Sequence, residues 1–221
     1  MTNLFSIFDP STSPSFSLNW LSIFILLFLL PYQFWLMPSR FTFLWTLMTN
    51  YIFNEFKILI SYSFSNIIIF ISLISFIFFN NFLGLFPYIF TASSHMSFCL
   101  SMSLSLWLSL MLYSIINYLN NLLIHLTPSG TPFMLMPFMV IIESISLIIR
   151  PLTLSIRLTA NMIAGHLLLT LLGSSGLNIS NSLMLPILIF TQILLYILEI
   201  SVSMIQAYVF SILSTLYSSE T

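Results

Sequence analysis

Charge is what this sequence most lacks. Of its 221 residues only 4% are charged, with Lys and Arg numbering 4 and Asp and Glu 5, whereas 59% are hydrophobic. A soluble globular domain carries about 25% charged residues. A surface this poor in charge would not stay dissolved, so lipid is the expected solvent, and the mean hydropathy of +1.09 agrees. Four cations and a net charge of −1 cannot neutralise a run of phosphates, which excludes nucleic acid as a partner. The single cysteine, Cys99, allows no internal disulfide and offers no pair of thiolates to a metal. It is expected as a small apolar filler, and no metal or other cofactor is expected.

Other absences bear on targeting and chemistry. The first 39 positions hold no Lys or Arg. The apolar run from Leu18 to Leu36 thus has neither the cationic flank nor the small-residue cleavage site of a removable signal, and no arginine-rich transit segment precedes it. If the chain resides in an organelle, synthesis inside that organelle is the expectation. There is no GxxxxGK[ST] loop either. The one lysine, Lys57, follows no glycine run, so no nucleotide phosphate is expected to bind here.

What is present is a series of long apolar runs. A helix crossing a hydrocarbon core of ~30 Å needs roughly 20 apolar residues. Such runs occupy residues 18–37, 66–89, 96–119, 134–172 and 183–217. Between them lie turn-like breaks at Pro38-Ser39-Arg40, Ala92-Ser93-Ser94-His95, Thr127 to Pro132 and Gly173-Ser174-Ser175-Gly176. Residues 40–60 differ, with Arg40, Glu55 and Lys57 set among aromatics, and read as an amphipathic helix lying in the interface. Their two cations place that helix on the cytoplasmic or matrix side. The N-terminus then faces the opposite compartment, and five crossings bring the C-terminus to the matrix side.

The last two runs are too long to stand upright. Residues 134–172 number 39 and residues 183–217 number 35, or about 58 and 52 Å as helices. Tilting, or kinking at Pro151 and Pro186, is required. The sequence therefore predicts a single all-α membrane domain over residues 1–221. It has five membrane helices, the last two long and strongly tilted as an antiparallel hairpin joined at Gly173 to Asn178, plus one interfacial amphipathic helix. No internal repeat is evident.

The first three crossings carry no charged residue. Glu143, Arg150, Arg157 and Glu199, with His166 beside them, all fall in the two long runs. A charge near the centre of a membrane helix costs about 2.5–3.5 kcal/mol on insertion scales, so such residues mark pathways by default. Glu143, Arg150 and Arg157 recur every seven residues and form one stripe about 21 Å long. His166 lies roughly 180° around the helix from Arg157. On the last run Gln192, Glu199 and Gln206 also recur every seven, with Tyr196 and Ser203 at i+4 positions. Structural readings stand beside functional ones. Glu143 and Arg150 fit a plain ion pair, His166 a core histidine bonded to a carbonyl, and Gln192 and Gln206 interhelical hydrogen-bond glue. Arg157 has no acid at i±3 or i±4, so its counter-charge must come from another segment or another chain. Glu and His supply a proton relay, whereas Arg never releases its proton and acts as a fixed cation.

The block Ile156-Arg157-Leu158-Thr159-Ala160-Asn161-Met162-Ile163-Ala164-Gly165-His166-Leu167 resembles subunit a of the F-type ATP synthase in its mitochondrial, arthropod-like form. Ile141-Ile142-Glu143-Ser144, Leu198-Glu199-Ile200, Ile205-Gln206-Ala207-Tyr208-Val209-Phe210, Asn81-Phe82-Leu83-Gly84-Leu85-Phe86-Pro87, Gly130-Thr131-Pro132 and the terminal Asn3-Leu4-Phe5 and Leu216-Tyr217-Ser218-Ser219 extend the resemblance over essentially the whole chain. The resemblance implies a non-catalytic subunit of the mitochondrial inner membrane that carries two half-channels to a ring of c subunits. Arg157 would meet each ring carboxylate in turn. His166 and Glu199 would line the half-channel open to the intermembrane space, Glu143 the one open to the matrix, and Asn161 and Gln206 would lie close to the arginine. The implied partners are the c-ring, other membrane and peripheral-stalk subunits, and the bilayer. Ser129 and Leu152 depart from the family pattern, where Gln and a smaller residue are common. Two other functions fit an apolar chain with few buried charges: an ion-coupled transporter, which favours inverted repeats, and a purely structural membrane subunit.

Overall fold

Proline, serine and glycine set where the apolar runs become helices. The structure, a computed structural model, describes residues 4–60, 64–127, 132–176 and 184–220. Among these residues every regular element is helical. The chain enters with a 3-10 turn at Leu4–Phe8, then a 3-10 helix at Leu18–Phe24 that passes into α1 (Ile25–Leu29). This first apolar helix ends where Leu30 turns extended, at φ −64° and ψ 125°. The cause is Pro31, whose ring disfavours the helical region for the residue before it. The helix expected over residues 18–37 is thus confined to Leu18–Leu29, short of the roughly 20 residues a crossing needs.

Ser39 starts α2 (Arg40–Leu59), its Oγ accepting from the Thr42 N–H at 3.3 Å as N-cap serines do. Then come α3 (Phe64–Gly84), α4 (Met96–Asn117) and a short α5 (Leu119–Leu126), followed by α6 (Met136–Gly176) and α7 (Met184–Glu220). Four stretches are long and apolar enough to cross a membrane: Ser65–Gly84, Met96–Asn117, Phe133–Gly176 and Met184–Ser219. After Gly84 the chain doubles back closely enough that a methyl on this residue would sit 2.9 Å from Thr91 Cγ2. Tyr88 takes a left-handed φ of 71° within that return.

Helix α6 has 41 residues and α7 has 37, about 61 and 55 Å of helix. Pro151 lies inside α6 without ending it, while Pro186 falls in the first turn of α7, where a missing N–H costs nothing. Gly173 to Gly176, expected as the turn, belong instead to α6. Ser174 and Ser175 bond back to Leu171 O and Leu172 O at 2.9 and 2.8 Å, so their hydroxyls are satisfied within the helix. The link between the two long helices falls on residues 177–183, and most of the loop expected from Thr127 to Pro132 on residues 128–131. Both stretches lie outside the described residues.

Contacts between α6 and α7 run down one as they run up the other. Methyls on Gly176 and Gly173 would sit 3.7 and 3.9 Å from Leu188 and Gln192. Gly165 meets Glu199, and Arg150 lies over the Tyr217 ring at 5.0 Å. The main core joins four helices through Leu73, Ile77, Cys99, Leu154, Leu158, Ala207 and Phe210. A second cluster of Phe56, Ile60, Ile67 and Phe70, with Ile212 packed on it, holds α2 to α3 and α7. Lipid gives no hydrophobic drive between helices, so close backbone approach carries the packing. Ser103, Ser155, Ser203 and Ser211 are buried there, and each hydroxyl bonds a carbonyl of its own helix three residues back. The serines pack as small residues with their polar groups satisfied.

Candidate functional site

The seven-residue stripe on α6 divides into a paired end and a free end. Arg150 Nη2 lies 3.8 Å from Glu143 Oε1 and its guanidinium stacks over Tyr217. Arg157, one step further along the stripe, is exposed. Among the described residues it has no hydrogen bond or ion pair. Its neighbours along the helix surface are Thr153, Ala160, Ala164 and Leu168, all exposed and mostly small. The opposite side of the same helix is buried through Leu154, Ser155, Leu158, Thr159 and Met162. Helical periodicity therefore turns the arginine outward from the protein while its neighbours at i+1 and i+2 anchor the core.

The rest of the site lies on the inward side. Glu199 is 7% exposed, and neither carboxylate oxygen has a hydrogen-bond partner. Its carboxylate is pressed against α6: a Cβ at Gly165 would meet Glu199 Oε1 at 2.7 Å and Cδ at 3.0 Å. Glycine is needed here because the carboxylate occupies the space of a side chain. His166 follows directly, its Nε2 also buried and unpartnered, and its ring meets Phe8 edge-on at 6.3 Å. Gly165 thus brings Glu199 beside the residue that carries the imidazole. The polar stripe of α7 faces inward too, with Glu199 and Ser203 buried and Gln192, Tyr196 and Gln206 half-buried.

Asn161 is half-buried one turn beyond Arg157. Leu154 and Leu158 share one core cluster with Ala207 and Phe210, which sets Gln206 near the height of Arg157. Arg157, Asn161 and Gln206 therefore occupy one level of the helix pair, Glu199 and His166 a second, and Glu143 a third beside Arg150. Among the described residues no three His, Cys, Asp or Glu side chains gather as metal ligands would.

Three features escaped the sequence reading. The space held open at Gly165 left one signal, a glycine inside a helix where alanine is more stable. The link from Tyr208 OH to Glu55 Oε2 at 2.9 Å and the reach of Phe8 to His166 join residues too far apart for any pattern to connect.

The family described as ATP synthase A chain matches residues 16–219. The chain is 58% identical over 223 residues to "ATP synthase subunit a" of Anopheles gambiae, covering 100% of this chain and 99% of the relative. It is 57% identical over 222 residues to the Drosophila melanogaster protein of that name and 58% over 224 to that of Locusta migratoria, with the same coverage.

Proposed function

This chain belongs to the ATP synthase A chain family, and from that premise we propose that it is the stator-side proton path of a rotary ATP synthase in the mitochondrial inner membrane. It is a membrane subunit of the complex and not a catalytic one. Protons enter from the intermembrane space past Glu199 and His166 and neutralise a carboxylate on the c-ring. The neutral site rotates into lipid. After nearly a full turn the carboxylate reaches the matrix half-channel near Glu143, loses its proton under the field of Arg157, and the cycle repeats. Each charge crossing 100 mV releases about 2.3 kcal/mol.

The observation that carries this reading is Arg157 itself: a permanent cation, exposed on a membrane-spanning helix, with no acid of its own chain among the described residues. Lipid will not hold such a group bare, so an acid on a partner must face it. Small residues on the same face, Ala160 and Ala164, allow a rotor helix to come close. Arg157 also stands as the barrier between the two half-paths, because it cannot pass a proton on. Asn161 and Gln206 stand near its level, one on each helix. A buried, unpartnered Glu199 on the other side of α6 gives the relay a group able to take up a proton.

In this reading α6 and α7 form a strongly tilted antiparallel hairpin alongside the ring, joined through residues 177–183. The short helix Leu18–Leu29, continued by the non-helical residues to Met37, makes the first of five crossings, which sets the N-terminus in the intermembrane space and the C-terminus in the matrix. Other membrane and peripheral-stalk subunits hold the chain against the rotor. Replacing Arg157 by Ala and measuring proton-driven ATP synthesis in membranes tests the proposal. The expected product is an assembled but silent enzyme. Loss of assembly would favour a structural role, and undiminished synthesis an unrelated transport role.

A further inference from the structure

Nothing in that relay uses the amino-terminal segment, yet the segment reaches it. In the turn at Leu4–Phe8, Phe5 and Ile7 are exposed while Phe8 turns inward. Its ring meets His166 at 6.3 Å between centroids, with the planes at 81°. The Phe8 carbonyl is held in turn by His95, whose Nε2 lies 2.9 Å away across 87 positions of sequence. A carbonyl oxygen only accepts, so Nε2 carries a proton and donates. That bond survives whether the imidazole is neutral or charged. His95 is clasped between Trp20 and Phe90, with ring centroids at 5.1 and 5.2 Å, and Ser22 Oγ donates to Phe90 O at 3.1 Å. A five-residue turn has little stability of its own. Here residues 20–22 and 90–95 converge to hold one of its carbonyls through His95, and the ring so held rests on an imidazole of the relay.

We infer that Phe8, latched through its carbonyl by His95, is a positioning residue for His166 and covers the outer side of the buried Glu199–His166 pair. The inference rests on the relay proposed above. A proton bound for Glu199 then passes the rim of this ring, and His166 keeps one orientation because the ring edge confines it. The latch is mechanical, since it relies on a donor at position 95 rather than on a charge.

The test uses the assembled enzyme in sealed membranes, with a membrane-impermeant carbodiimide added from the intermembrane side. Adducts at Glu199 are counted by mass spectrometry per assembled complex. Phe8→Ala and His95→Leu are expected to raise Glu199 labelling several-fold. His95→Gln, which still offers a donor, is expected to stay at the wild-type value. Phe8→Leu, which keeps most of the bulk, is expected to fall between, and it stands in should Phe8→Ala fail to assemble. Labelling unchanged in His95→Leu and in the Phe8 variants would overturn the inference, as would His95→Gln behaving like His95→Leu. Wild-type labelling from the matrix side alone would instead refute the direction of the relay, a separate failure, because the cover is judged by the change from wild type to variant.

Discussion

Arg150 and Arg157 stand seven residues apart on one helix, only about 20° different in direction, and live in opposite surroundings. Around Arg150 the chain closes in: Glu143 Oε1 sits 3.8 Å away and the Tyr217 ring 5.0 Å. Around Arg157 it opens, with Thr153, Ala160 and Ala164 exposed beside it and no partner for the guanidinium among the described residues. The difference comes from α7. Opposite Arg150 that helix offers Tyr217 near its end, whereas near the level of Arg157 it turns Ala207 and Phe210 into the core. The same side chain is thus paired within the chain in one place and without a partner among the described residues in the other.

Exchanging each arginine in turn is the strongest way to break that comparison. Arg157→Gln is expected to lower proton-driven synthesis at least about 100-fold, the scale on which one preorganised charge-stabilising group acts, with assembly intact. Arg150→Gln removes a part-exposed ion pair and a ring contact, together about 1 kcal/mol. It is expected to change the rate by less than about threefold on that scale and to show mainly as reduced thermal stability. Parallel rate losses in the two variants would mean that their surroundings do not separate them.

The inward side offers a comparison of the same kind between two glycines. A methyl at Gly165 would fall 2.7 Å from Glu199 Oε1, while one at Gly173 would clear Gln192 Nε2 at 3.9 Å. The atom struck at Gly165 is the tip of a flexible side chain, so Gly165→Ala should shift the carboxylate rather than part the helices. A displacement near 1 Å at a reacting group costs up to about 100-fold, and a loss of about 10-fold or more in synthesis is expected with normal assembly. Gly173→Ala meets no clash and should stabilise α6 by up to about 1 kcal/mol. Equal rates in the two variants would remove Glu199 from the relay.

Glu143 sharpens the contrast, since it touches Arg150 and is also proposed as the matrix-side acid. If it serves Arg150 alone, Glu143→Gln should cost nothing further once Arg150→Gln is present. As a proton-handling group it should slow synthesis by the same factor in both backgrounds, by about 10-fold, below the usual range for positioned acids and bases. A double-mutant cycle on the synthesis rate decides between them.

How much of this was written in the sequence depends on the range of the interaction. Charge poverty and long apolar runs are sums over many residues, and they announce a helical membrane protein. Seven-residue spacing puts Glu143 and Arg150 within reach of each other, and a nine-residue step turns Arg157 and His166 to opposite sides, because helix geometry is local. Pro31 shows where such sums mislead: hydropathy runs on to Met37, but one ring stops the helix at Leu29. Contacts such as Phe8 with His166 or Glu55 with Tyr208 depend on the packing of several helices, and no periodicity records them. No partner for the Arg157 guanidinium stands among the described residues, so the sequence could display only the need for one.

The mildest test lies where α2 meets α7, a second place where polar groups close on each other. Tyr208 OH donates to Glu55 Oε2 at 2.9 Å, and the same carboxylate takes a hydrogen bond from Tyr51. The Tyr208 bond ties α2 to the end of α7 that lies beyond Gln206. The Tyr51 phenol is held above its ordinary value, first by that hydrogen bond and then by the negative charge of Glu55. Both influences resist formation of a phenolate beside a carboxylate. Glu55→Gln removes the charge and weakens the bond, so Tyr51 should ionise at lower pH than in the wild type, read by ultraviolet titration against a Tyr51→Phe control. Tyr208→Phe deletes one partly exposed hydrogen bond and should cost about 1 kcal/mol or less in thermal stability, with synthesis unchanged. A large loss of synthesis in Tyr208→Phe would move this corner from the closed class to the open one and add Glu55 to the groups that handle protons.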